Sequence, residues 1–150
     1  MKKPELLAPA GSLAKLKYAV MYGADAVYIG GEAFSLRVAA KNFTAEEIKE
    51  GIDFAHERGA KVYITANIIP HNSDLEKFPD FVREVADIGA DAIIVSDLGT
   101  FSVVRSVAPD LDVHISTQAN NTNYASANMW HAMGAKRVIL ARDLSFKEIR

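Results

Sequence analysis

The sequence predicts an α/β fold of the (β/α) TIM-barrel type, incomplete, with about six βα units and parallel strands. Two observations predict it. A Gly-Ala-Asp/Lys lead followed by an apolar run recurs at Gly23–Gly30, Gly59–Thr65, Gly89–Ser96 and Gly134–Ala141. Between these runs, apolar residues fall at helical spacing, so strand and helix alternate down the chain. In each repeat the glycine reads as the left-handed end of a helix, and the β-branched run as a strand buried on both faces.

The elements follow in order. Glu5-Leu6-Leu7-Ala8 opens as the first strand, and Ser12 caps a helix with Leu13, Leu16 and Val20 on one side. After the second strand, Thr44 and Glu47 form a capping box ahead of Ile48, Ile52 and Ala55. The third helix carries Phe78, Val82 and Val85; Ser73…Glu76 reads as a capping box, while Pro79 suits a first helical turn better than an interior, which puts the start of the third helix there. Phe101, Val104 and Ala108 mark the fourth helix. Asp112-Val113-His114-Ile115-Ser116 is a strand without the Gly-Ala lead, and Ala127, Trp130 and Met133 give a weaker helix. A final capping box, Ser145…Glu148, starts a sixth helix near Arg150.

Strict alternation implies parallel strands joined by right-handed crossovers. Residues 1–150 read as a single domain without linker or low-complexity stretch, the N-terminal portion of a barrel that ordinarily takes eight strands and roughly 250 residues. Six strands leave two open edges, which self-association as a homo-oligomer would cover. The alternative is a doubly wound open sheet; four near-identical units favour the ring.

Composition narrows the function. About half of the residues are hydrophobic and none is cysteine, which removes disulfides, a thiolate nucleophile and a thiolate-held zinc or iron–sulfur cluster from these residues. A net charge of −2 lacks the basic excess of a chain that grips nucleic acid alone. No apolar run is long enough to span a bilayer, and Leu6 to Ala10 is too short for a secretory leader, so the expected location is the cytoplasm.

In either α/β architecture the site sits at the carboxyl ends of the strands. Those ends carry Ser35 and Arg37, Asn67, His71 and Asn72, Ser96 and Asp97, Ser116-Thr117-Gln118 with Asn120, and Arg142-Asp143. Hydroxyls and amides dominate, groups that orient a polar ligand but are weak acids and bases. The expected binding residues are Arg37, Asn67, Ser116, Thr117, Gln118, Asn120 and Arg142, the arginines clamping a carboxylate or phosphate. Structural ion pairs with Glu32 or Asp143 are the bland alternative for those arginines. Asp97 and His71 are the catalytic candidates, although Asp97 equally suits a helix cap. His114, inside a strand, reads as a satisfied core histidine, and His56 and His131 as helix-surface residues. No metal site is expected; the one grouping worth weighing is Asp97, His71 and His114. No Walker A, dinucleotide-binding, His-Glu-x-x-His or Gly-x-Ser-x-Gly pattern occurs.

Several stretches together resemble one family. They are Pro4–Ser12, Gly23–Gly31, Ser35-Leu36-Arg37, Asn42-Phe43, Thr65–Ile68 with His71-Asn72, Val95–Asp97, His114–Asn120 and Arg137–Arg142. In order and spacing they are similar to the collagenase-like peptidase family U-32, over essentially the whole chain. The resemblance implies a TIM-barrel domain in a protein of 300 residues or more, a class first named as proteases. Branches of it act as oxygen-independent hydroxylation factors. These include prephenate-dependent tRNA uridine hydroxylation at the wobble position, ribosomal RNA cytidine hydroxylation, and a pair in anaerobic ubiquinone synthesis. The loop Ala66-Asn67-Ile68-Ile69-Pro70-His71-Asn72 is closest to the bacterial tRNA branch. The family's cysteine segment, thought to hold an iron–sulfur cluster, would fall beyond Arg150, so no cofactor is expected in this chain. The chain also has Asp143 where the family usually carries glutamate.

Three functions follow as expectations. The first is the N-terminal part of a tRNA-hydroxylating enzyme, inactive alone. Its rim would bind a small carboxylated or nucleotide-like ligand, with tRNA met through residues further on. The second is a peptidase of the collagenase-like type. The third is a non-catalytic half-barrel that associates with itself.

Overall fold

The computed structural model describes residues 3–30, 34–35 and 43–149. Six strands form one parallel sheet in chain order: β1 (Leu7–Pro9), β2 (Ala26–Gly30), β3 (Lys61–Ala66), β4 (Ala92–Val95), β5 (Asp112–Ile115) and β6 (Arg137–Val138). Sequential order is the barrel arrangement. A doubly wound sheet reverses direction at a switch point, so that alternative is excluded. β1 and β6 are the two edges. The connecting helices are α1 (Leu13–Met21), α2 (Ala45–His56), α3 (Asn72–Leu75), α4 (Phe78–Asp87), α5 (Leu98–Val107), α6 (Tyr124–Ala132) and α7 (Phe146–Ile149). Among the described residues no helix is long and apolar enough to cross a membrane.

Strand alternation sorts the side chains into two layers. Val27, Ile29, Val62, Ile64, Ile93, Val95, Val113 and Ile115 face the helices and pack on Leu16, Ile52, Phe78, Val82, Phe101 and Val104. The other parity faces the concave side, where Ala26, Tyr63, Ala92 and Ile94 form a smaller cluster with Leu7, Tyr28 and Ile139. Both faces of β3 and β4 are therefore covered, which is why their sequences run apolar without alternation.

The repeat lead has a structural role at each position. Its glycine takes a left-handed conformation, as at Gly59 with φ +73°. Where the third residue is aspartate, its carboxylate accepts the backbone N–H of the preceding strand: Asp25 from Leu6 at 2.7 Å, Asp91 from Val62 at 2.8 Å. Asp91 also holds His56 Nε2 at 2.8 Å.

One helix start differs from expectation, and the other, at Pro79, is where the sequence put it. Ser73…Glu76 is not a capping box. The chain makes a short α3 first, entered by His71, whose backbone N–H donates to Asp74 Oδ2 at 2.7 Å. A separate helix, α4, then begins at Phe78, with Pro79 in its first turn where the missing N–H has no intrahelical partner to lose. The Thr44–Glu47 box forms with both bonds.

Candidate functional site

A cavity of about 440 Å³ opens at the carboxyl ends of the strands. Its wall comes from every strand: Leu7, Tyr28, Thr65, Asn67, Ile94, Ser116, Thr117, Gln118, Ile139 and Arg142. Parity explains the set. Tyr28, Thr65 and Ile94 point to the concave face, while Ser116 and Ile139 continue that face beyond β5 and β6.

The polar side chains are tied to one another. Ser116 Oγ accepts from Gln118 N at 3.2 Å and, at a long 3.5 Å, from Asn67 Nδ2. Thr65 Oγ1 donates to Ile29 O at 3.0 Å and lies 3.0 Å from Ser35 Oγ. Asn67 Oδ1 is buried without a hydrogen-bond partner among the described residues. Of the lining residues only Arg142 is charged, and no ion pair engages it among the described residues. The described residues therefore offer the cavity one exposed cation, several hydroxyls and amides, and an apolar wall of Leu7, Ile94 and Ile139. That combination suits a small organic anion with an apolar body.

The expected binding residues divide accordingly. Asn67, Ser116, Thr117, Gln118 and Arg142 converge on the cavity. Asn120 does not line it: at φ 53° it ends the 3-10 turn Thr117–Ala119, its backbone N–H donating to Thr117 O at 3.0 Å. Arg37 lies outside the described residues, as do Glu32 and Asn42. Asp97 caps α5, its Oδ1 accepting from Gly99 N at 2.8 Å and Thr100 N at 3.1 Å. His71 is exposed at the entry to α3, away from the cavity lining. Asp97, His71 and His114 are not brought together as ligands, and no other group of three or more metal-binding side chains forms among the described residues.

Sequence reading missed Leu7, Tyr28, Ile94 and Ile139. The signal was strand parity: each lies an even number of residues from an interior position on its own strand, or continues that parity past its end.

Beneath the cavity sits a polar layer that the sequence did not reveal. Arg137 grips Glu5 with both terminal nitrogens, Nη1 to Oε1 at 2.5 Å and Nη2 to Oε2 at 3.1 Å. The Tyr63 hydroxyl donates to the same Oε2 at 3.0 Å. The Arg137 bonds hold the Glu5 carboxyl below its ordinary range. Burial, and then the neighbouring carboxylate, push the Tyr63 phenol up to about 12. His114 lies against Tyr63, and burial, with Arg137 nearby, pushes its imidazole down to about 4. It is a core histidine as expected, but not a satisfied one, since Nδ1 has no partner among the described residues.

Residues 11–150 match Peptidase family U32. The chain is 50% identical over 149 residues to tRNA hydroxylation protein P1 of Bacillus subtilis (strain 168), covering 99% of this chain and 35% of that protein. It is 47% identical over 149 residues to tRNA hydroxylation protein P of Escherichia coli (strain K12), covering 99% and 33%. The chain thus spans about a third of the length of these curated relatives. Among solved structures, the U32 peptidase Mk0906 superposes with a TM-score of 0.71 at 18% identity, over 93% of this chain and 60% of that one. That likeness bears on the fold.

Proposed function

The chain belongs to peptidase family U32, and from that premise we propose that it serves in oxygen-independent tRNA uridine hydroxylation. In this reading residues 1–150 are one domain, the N-terminal portion of a longer barrel enzyme working in the cytoplasm. The observation that carries it is 50% identity to a tRNA hydroxylation protein along almost the whole chain. The cavity adds a role for these residues. Arg142 pairs with the carboxylate of a small ligand, Ser116, Thr117, Gln118 and Asn67 orient its polar groups, and Leu7, Ile94 and Ile139 hold its body. tRNA is the second partner, met mainly outside these residues, since a net charge of −2 supplies little phosphate affinity. A second copy of the chain covering the β1 and β6 edges is the remaining partner of this reading.

An iron–sulfur cluster does not fit these residues, because the chain contains no cysteine to ligate one. Peptide hydrolysis has less support from the geometry. Ser116 Oγ is bonded to amide groups, and among the described residues neither a histidine nor a carboxylate lines the cavity to activate it.

The test is a nucleoside profile of tRNA from a strain lacking the gene. Hydroxylated uridine should disappear and return with the gene on a plasmid. An unchanged profile, with gelatin cleavage by the purified protein, would replace this reading with the peptidase one.

A further inference from the structure

We propose that Glu5 and Arg137 are positioning residues, a clasp that sets how far apart the two walls of the cavity stand. The inference rests on the cavity being a ligand site, as proposed above.

β1 and β6 are not hydrogen-bonded to each other. Each is held on one side only, β1 by a three-residue register with β2 and β6 by a two-residue register with β5. Yet opposite walls of the cavity come from these two strands: Leu7 from β1, Ile139 and Arg142 from the end of β6. No direct ladder bond fixes their separation, which the sheet sets only through the four strands between them.

The clasp does. Glu5 lies two residues before Leu7, and Arg137 two residues before Ile139, so each shares a strand face with a wall residue about 6.6 Å further along. The two-pronged bond between them therefore spans the gap directly under the cavity. A single lysine-type contact would swivel; the planar guanidinium against a carboxylate fixes both distance and angle. Tyr63 adds a third bond to the same carboxylate and anchors the pair to β3, in the middle of the sheet. His114 faces the pair from β5, and Lys61 and Asp112 are further charged groups that act on it. The pair is too exposed to matter much for stability, with side chains 28% and 36% accessible. Its geometry is what the cavity uses.

The experiment measures width and affinity separately in the full chain. The absence of native cysteine allows clean spin labelling through Pro9→Cys and Asp143→Cys, one just past each wall. Phenylacetate, an apolar ring with a carboxylate, is the binding probe, and uncharged phenylacetamide the control. In Glu5→Gln the label distance should broaden and phenylacetate affinity should fall about tenfold, as expected for a displaced but intact anion partner. The exchange Glu5→Arg with Arg137→Glu should restore both, which a loss of folding would not allow. Unchanged distance and affinity in Glu5→Gln would overturn the clasp. If the unsubstituted chain fails to bind phenylacetate while the distance still responds, the cavity reading falls and the clasp stands as a purely structural link.

Discussion

The rings of Tyr63 and His114 meet edge to face, 4.6 Å between centres and 77° between planes, on the concave side of the sheet. This contact keeps the imidazole out of water, so its neutral form is strongly favoured and its pKa falls to about 4. Acidification from about pH 6.5 to pH 4 should therefore destabilise the fold, because the unfolded chain takes up a proton that folded His114 refuses. The loss approaches about 3 kcal/mol if His114 acts alone. Glu5, also lowered, adds loss of the same sign further into the acid range. Urea unfolding at several pH values checks this, and His114→Gln should flatten the profile between pH 6.5 and 4.

Among the described residues lining the cavity Arg142 is the one cation, and it is exposed. Replacing it with glutamine should weaken phenylacetate binding about 10- to 100-fold, the worth of one charge-assisted contact. Binding of phenylacetamide should not change. Stability should move by less than about 0.5 kcal/mol, as for other exposed positions. Calorimetric titration and a thermal melt read the two effects.

For Asp97 the expected effect is on the fold. Asp97→Ala removes the acceptor for two backbone N–H groups at the start of α5 and should cost about 1 kcal/mol. Asp97→Ser should recover most of it. Ligand affinity should be unaffected in both, and a folded Asp97→Asn that lost binding would instead return Asp97 to the site.

Gly30 ends β2 against the Ser35–Thr65 hydrogen bond. A Cβ built there comes within 2.6 Å of Ser35 Oγ and 3.3 Å of Thr65 Oγ1. Gly30→Ala should break that bond and cost about 1–2 kcal/mol, visible as a lower urea midpoint with an unchanged slope.

The barrel was legible because its signals are local. Gly59 directly follows a helical run, where the chain turns with a positive φ, and Ile93-Ile94-Val95 must be covered on both faces. Half of the site was legible for a similar reason: Ser116, Thr117, Gln118 and Asn67 follow strands directly, and strand ends converge. The rest depended on distance in sequence. Glu5 and Arg137 are 132 residues apart, and only the curvature of the sheet brings them together. Tyr28 and Ile94 looked like ordinary core because an apolar strand hides which parity faces inward. Pro79 marked the start of α4, but the short α3 ahead of it is entered by His71 and not by Ser73, a difference of one hydrogen bond.

The aspartates that receive a neighbouring strand's N–H have a consequence for how such a chain can be cut and joined. Asp25 stands at the head of β2 but completes β1; Asp91 stands at the head of β4 but completes β3. The corresponding positions heading β3 and β6 are Lys61 and Lys136. The exchangeable module is thus a pair of strands with its helix, and a graft or permutation opened inside such a pair would strand a carboxylate on one side and an unpaired amide on the other.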